Sequence, residues 1–264
     1  MHCVYAHWLN VNNIYCTGTV LKDNPSRHSI RHDDVSVVVP ILNERQNLPV
    51  LLEQLEGFSF RQVILVDGGS TDNSWQWLHS LQKLGKKPFS VLEILRTDSS
   101  RAKQMNAGAK LATADVLLFL HADTQLPVNA ITQIHHALAS HDWGRFDVDF
   151  KEPDWRMNII ASCMNWRSRM TGIATGDQAI FVRRQIFENL QGYADIPLME
   201  DVELSKRLLK LGKPACLQEK VKTSARRWLS AGVIRTVLLM WRLRWDYFIG
   251  KEPKELVKRY REER

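Results

Sequence analysis

Between Val35 and Ala139, short aliphatic and β-branched runs alternate with stretches whose apolar positions recur every three or four residues. The run Val35-Ser36-Val37-Val38-Val39 is too apolar for an exposed edge, so it reads as a central strand that Pro40 ends. Leu48, Leu51, Leu52 and Leu55 then fall at helical spacing, with Gly57 as a stop. The alternation continues through a strand from Gln62 to Val66, a helix from about Asp72 to Leu84 and a strand from Val91 to Leu95. A helix from Arg101 to Leu111, a strand from Val116 to Leu120 and a helix from about Pro127 to Ala139 follow. Strands separated by helices imply an α/β fold with a mainly parallel central sheet wound by right-handed crossovers. Beyond Trp143 the pattern loosens into a strand-like Arg145 to Phe150, a helix near Arg156 to Met170, a glycine-punctuated stretch from Thr171 to Val182 and two further helices.

The two ends differ from this middle. Residues 1–33 scatter His, Asn and Ser without period and read as a weakly ordered extension. From Gly232 to Gly250, Ile234, Val237, Leu238, Trp241, Trp245 and Phe248 form one helical stripe, while Leu239, Leu243 and Tyr247 form another. Two apolar faces need two partners: one is the main domain, and the second is open to a dimer mate or to an anionic lipid interface beside Arg235, Arg242 and Arg244. A helix buried in the domain, with its arginines reaching solvent, accounts for the same pattern. The expected organisation is therefore an extension over 1–33, a catalytic domain over 34–230 with halves 34–125 and 126–230, and a basic amphipathic segment over 231–264.

Composition narrows the picture. A chain of 264 residues with 44% hydrophobic content can bury a full core. The net charge of +7 lies in residues 219–264, which hold 13 Lys or Arg against 6 Asp or Glu. That tail lacks base-stacking motifs, so nucleic-acid binding ranks last among its uses. Cys3, Cys16, Cys163 and Cys216 are far apart, which argues against a zinc site or a disulfide scaffold and fits a reducing cytosol. No secretory signal is visible and no apolar span of about 18 residues occurs, so a cytoplasmic protein, at most peripheral on the inner membrane face, is expected.

The chemistry sits where strands end. Val116 to Leu120 runs into His121-Ala122-Asp123, and Gln62 to Val66 into Asp67-Gly68-Gly69-Ser70-Thr71-Asp72, so two strands deliver carboxylates to the edge where open α/β sheets bind ligands. Glu200-Asp201 opens a later helix. Three acidic points at element ends point to a metal-bound, phosphate-bearing ligand. Asp67 can accept from the imino N–H of a base, with Pro40 and Asn43 forming the turn beside it, or can simply cap its own turn. Gly68 and Gly69 allow close approach, and Ser70 to Asp72 can cap the next helix. Arg101 suits a diphosphate, and Asn106 suits ribose or backbone hydrogen bonds. Gly108 would let that helix pack closely on the sheet.

In order, Val39-Pro40-Ile41-Leu42-Asn43-Glu44, Val66 to Asp72, Arg101 to Gly108, His121-Ala122-Asp123 and Met199-Glu200-Asp201 resemble the family 2 glycosyltransferases of the GT-A fold, over roughly residues 35–230. Gly144-Arg145-Phe146, Thr171 to Arg183, Ile196 to Asp201 and Arg226-Arg227-Trp228 resemble a narrower bacterial branch, the radical-SAM/selenodomain-associated "transferase 2" linked to arsenosugar biosynthesis. The resemblance implies a UDP- or GDP-linked sugar donor bound by Pro40, Asn43, Glu44, Asp67, Gly68, Ser70, Arg101, Asn106, His121, Ala122 and Asp123. It implies Mn²⁺ or Mg²⁺ at Asp123, because a diphosphate leaving group needs its charge neutralised. The family's D-x-D is H-x-D here, so His121 is open to metal ligation, a ribose hydrogen bond or packing. Asp201 would be the catalytic base and Glu200 its orienting neighbour, giving inversion. Gly176, Asp177 and Gln178 would line the acceptor side, and Arg227 and Trp228 would hold diphosphate or stack an acceptor. Ser224 stands where the Q-x-x-R-W motif of polymerising relatives has Gln, which argues against processive synthesis.

The favoured acceptor is a small hydroxyl-bearing molecule; the alternatives are a polyprenyl phosphate or carotenoid at the membrane, or a silent nucleotide-binding protein. A nucleotidyltransferase is disfavoured, because Pro40-Ile41-Leu42-Asn43-Glu44 replaces the Gly-rich, basic loop it would need after strand one.

Overall fold

In the computed structural model, which describes residues 34–83 and 91–262, the β-branched runs form the spine of one seven-stranded sheet. The extension expected over 1–33 lies outside the described residues. β1 (Val35–Ile41), β2 (Gln62–Asp67), β3 (Leu92–Arg96) and β4 (Val116–Phe119) pair in parallel in the order β3-β2-β1-β4. Beyond β4 come β6 (Phe181–Arg183), antiparallel to it, then β5 (Trp143–Phe150) and β7 (Ala215–Thr223). Among the described residues β6 alone runs against the others, so the sheet is mainly parallel, as the alternating pattern predicts. β1, β2 and β4 lie under helices on both faces, which is why their sequences read as continuous apolar runs.

Two expectations are corrected. Pro40 does not end β1: it pairs in register with Val66, and the strand continues to Ile41. Proline's fixed φ is compatible with extended backbone, and the position is one residue from the strand's end. The stretch after α7 (Glu200–Leu209) is not wholly helical, because β7 intervenes. β7 buries Val221 and Thr223 and turns Lys220 and Lys222 outward, the charged alternation of an edge strand.

The crossover helices are α1 (Leu48–Glu56), α2 (Ser74–Lys83) and α3 (Arg101–Leu111), with α4 (Ala130–Leu138) leading into β5. Ser100 caps α3 by accepting from Lys103 N–H. Gly108 has the packing duty expected of it: a β-carbon there would lie 2.4 Å from Val38 Cγ1. α5 (Trp155–Thr171) follows β5 and ends at Gly172, whose φ of 68° supplies a left-handed cap. α6 (Arg184–Asn189) is short. After β7, α8 (Arg226–Ala231), α9 (Val233–Phe248) and α10 (Pro253–Glu262) close one flank, where Leu239, Leu243 and Leu256 bury against Met199 and Val202.

Candidate active site

The carboxyl ends of β1 and β2 form a tightly cross-linked turn. Asn43, at φ 58°, donates its N–H to Ser70 Oγ at 2.9 Å and accepts Thr71 N–H on Oδ1 at 2.8 Å. Asp72 accepts from Arg45 N–H at 2.9 Å and Ser74 N–H at 3.0 Å. Glu44 reaches Arg226 of α8 at 4.0 Å. Asp67 is fully buried, accepts from Gly69 N–H at 2.9 Å and Ser70 N–H at 3.1 Å, and meets Arg96 Nε at 3.2 Å. Its carboxylate holds the turn, one of the two uses open to it from sequence. Gly68 is needed for close approach, because a β-carbon would lie 2.8 Å from Gln104. Gln104, which the sequence did not single out, staples the two strands by donating to Ile41 O at 2.8 Å and Val66 O at 2.7 Å.

A second group surrounds a cavity of about 170 Å³ between the ends of β4 and β6 and helices α7–α10. Arg101, His121, Gly176, Asp177, Glu200, Asp201 and Trp228 line it, so the structure brings residues from five separate sequence motifs together. Asp201 is fixed at both oxygens, accepting Gly176 N–H at 2.8 Å and Val202 N–H at 2.7 Å. Glu200 is buried and lies 3.9 Å from Arg101. Burial raises the Glu200 pKa, the charge of Asp201 raises it further, and Arg101 opposes both. Desolvation alone would lower the pKa of Arg101, but Glu200, Asp177 and Asp201 hold it above its ordinary value. Met199, immediately before this pair, has φ 68°, an uncommon conformation for a bulky residue.

His121 stands at the junction. Its Nδ1 lies 3.1 Å from Asp177 Oδ1, while Nε2 is buried without a hydrogen-bond partner. A β-carbon at Gly176 would sit 2.6 Å from that Nε2, so the ring packs on the glycine backbone. Asp123 joins His121, Asp177, Thr223, Ser224 and Trp228 around a smaller adjoining hollow. Nearby Lys151 has its pKa lowered by burial, with Asp123 pulling the other way. Among the described residues no group of three or more metal-type side chains converges. A Mg²⁺-type ion in a phosphate site needs only one or two carboxylates plus substrate oxygens. Asp123 and Asp177 fit that limited role; His121 Nε2 does not, because it faces Gly176.

Other expected residues have structural partners. Asn106 donates to Tyr193 O and accepts from Tyr193 N–H, both at 2.8 Å, so of its two expected uses the backbone one is realised. Gln178, expected on the acceptor side, closes a capping box with Thr175 and is fully buried. Ala122 is buried beside the His121 turn. Trp228 meets Phe150 edge-on at 6.2 Å between centroids. Arg227 lies on α8, but its side chain is outside the described residues. Residues that sequence reasoning missed here include Arg235, Arg244 and Leu198, which also line the cavity.

Residues 36–188, more than half of the chain, match the family model for glycosyl transferase family 2. The chain belongs to that family. Its curated relatives include undecaprenyl-phosphate 4-deoxy-4-formamido-L-arabinose transferases. The one from Pseudomonas savastanoi pv. phaseolicola is 32% identical over 160 residues, which is 56% of this chain and 46% of that protein. The one from Pseudomonas syringae pv. syringae is 34% identical over 161 residues, with the same coverage. The chain spans about half the length of these relatives. They bear a different name from the arsenosugar-linked branch that the finer motifs resemble. Among solved structures, a Pyrobaculum calidifontis mannosyltransferase in complex with GDP-Man and Mn²⁺ aligns with a TM-score of 0.55 at 17% identity, covering 73% of this chain and 57% of that one. S. aureus TarS in complex with UDP-GlcNAc aligns with a TM-score of 0.56 at 17% identity, covering 72% and 58%. These similarities establish the GT-A fold expected from the sequence.

Proposed function

We propose that this family 2 member transfers a sugar from a nucleotide-diphosphate sugar to a phosphate-bearing lipid acceptor, with inversion and without processive synthesis. The observation that carries the reading is the cavity beside Asp201: Leu198, Leu239, Met240 and Leu243 give it apolar walls, and Arg235 and Arg244 provide cations for the acceptor phosphate. The names of the curated relatives point the same way. Here the lipid alternative replaces the small hydroxyl-bearing acceptor favoured from sequence. The arsenosugar-linked branch is not carried forward, because the curated relatives that match are undecaprenyl-phosphate 4-deoxy-4-formamido-L-arabinose transferases.

In this reading Asp123, with Asp177, would hold Mn²⁺ or Mg²⁺, whose charge would stabilise the leaving diphosphate. Arg101 binds the diphosphate, and the acceptor oxygen attacks the anomeric carbon in line from the Asp201 side. An acceptor phosphate is already anionic near neutral pH and needs little help from a base. A second reading keeps a hydroxyl acceptor. It is favoured by the Asp201 carboxylate, which lines the cavity, is oriented by two backbone N–H groups, and can take the acceptor proton.

The test is a transfer assay from UDP- and GDP-sugars to a short-chain polyprenyl phosphate and to soluble polyols, each with and without Mn²⁺. Product on the lipid phosphate is expected. Turnover confined to soluble polyols would sink the lipid reading. A thermal-shift panel of UDP, GDP, CDP and dTDP identifies the donor base independently, since a ligand of the folded state raises its stability.

A further inference from the structure

Helices α5 and α9 each present two apolar faces. On α9, Leu239 and Leu243 are buried. At about 100° per residue, Ile234, Leu238, Trp241, Trp245 and Phe248 fall on the opposite side of the helix. Those five are between 59% and 77% exposed. On α5, Met157, Ile160, Ala161 and Met164 face the core, while Trp155, Ile159, Trp166 and Met170 form an outward stripe between 53% and 71% exposed. The C-terminal end of α5 lies beside α9, because Ile173, two residues beyond α5, packs against the cluster that holds Leu239 and Leu243. A soluble monomer rarely leaves nine large aromatic and aliphatic side chains exposed on two adjacent elements without a use.

We propose that the outward faces of α5 and α9 form one docking surface for an anionic phospholipid bilayer, on which the protein lies without spanning it. Charge decides the occupant. Arg235 and Arg242, two turns apart on one flank of α9, are exposed beside the tryptophans. Residues 219–264 carry 13 cations against 6 anions. A second copy docked on this face would set two such segments against each other, whereas an anionic headgroup layer neutralises them. Tryptophan favours the headgroup depth, where its ring is apolar and its N–H remains hydrated. Among the described residues no helix is long and apolar enough to cross a membrane, which leaves an in-plane arrangement for this face. α9 would then be a wall shared by bilayer and cavity. The inference rests on surface chemistry and stands apart from the acceptor reading.

The experiment is co-sedimentation of the full chain with vesicles of phosphatidylcholine alone or mixed with phosphatidylglycerol, at low and high salt. Pelleting with the anionic vesicles is expected, weakened about 10-fold by high salt. The pairs Trp241→Ser with Trp245→Ser, and Trp166→Ser with Met170→Ser, should each weaken it by about 10-fold or more. These side chains do not line the cavity, so nucleotide binding and melting temperature without vesicles should be unchanged. That readout separates failure of docking from failure of the transferase reading. No pelleting at low salt overturns the proposal, as does pelleting that survives both pairs of substitutions. A dimer in sedimentation velocity that the same variants abolish, with no vesicle binding, assigns the face to a second copy and overturns it equally.

Discussion

At the carboxyl ends of β1 and β2, Asp67 and Asp72 are answered by backbone N–H groups and by Arg96; some distance along the same sheet edge, the groups around the cavity are left with work to do. There Glu200 is pushed toward its protonated form, and Arg101 and Arg244 face the same space. Both regions are polar and rich in the motif residues of a family 2 enzyme. The first uses its carboxylates to shape backbone; the second holds carboxylates and guanidiniums that a ligand can still engage. Motif membership therefore does not separate scaffold from reacting group, and neither do backbone partners, which Asp67 and Asp201 share; access does, because Asp67 is fully buried and Asp201 lines the cavity.

The sharpest test of this contrast is Asp201→Asn. With a hydroxyl acceptor, transfer should fall by about 10² or more while donor binding survives, the usual scale for a positioned base. With a phosphate acceptor the loss should be markedly smaller. Turnover rates on the two acceptor types, compared in one preparation, decide between the two readings of the cavity. Next in size is Asp123→Ala, expected to weaken metal-dependent nucleotide binding by about 10–100-fold with the fold intact, as seen by titration with and without Mn²⁺. Its counterpart in the first region, Asp67→Ala, should do the reverse. It leaves the buried Ser70 N–H and the half-buried Gly69 N–H unanswered and should cost about 2 kcal/mol of stability in urea unfolding, with little change in preference among bases. A loss of base discrimination without destabilisation would return Asp67 to the binding site.

Gly176→Ala should cost about 1–3 kcal/mol, because the added methyl meets the enclosed His121 ring. Nucleotide binding should weaken in the same variant as the Asp177 contact shifts. The smallest expected effect concerns pH. Glu200 has a folded-state pKa raised above its ordinary 4.5, so the folded protein holds this proton more tightly than the unfolded chain. Its burden on stability is absent below the ordinary value and grows as pH rises through the folded one. In Glu200→Gln the melting temperature should therefore decline less with pH above 4.5 than in the parent protein. An unchanged pH profile would show that Glu200 is not desolvated.

Much of this was legible in the sequence. β1, β2 and β4 are buried on both faces, so their aliphatic runs had no competing explanation, and Gly108 announced a close helix–sheet approach. β7 was missed because only Val221 and Thr223 are buried in its charged second half, and Lys220 and Lys222 give it the appearance of a helix surface or loop. Asn106 was left between ribose and backbone, and Gln178 was placed on the acceptor side, because an amide's partner cannot be seen in sequence. Tyr193 lies far along the chain from Asn106, and the partners of Gln178 depend on a local turn. Arg235 and Arg244 were read only as headgroup cations, because a helical stripe shows which residues share a face but not which cavity that face closes. His121 was left with three uses, and its packing depends on Gly176, a residue with no side chain to announce the contact.

Gly108 and Val38 occupy what is in effect a single volume. Alanine at 108 has no room while valine stands at 38, and alanine at 38 alone leaves a void beneath α3. The double substitution Val38→Ala with Gly108→Ala puts the added methyl into part of that void, so the two changes should be less harmful together than the sum of each alone. Positions this far apart in the chain are therefore energetically coupled, and any redesign of β1 or α3 must treat them as one choice.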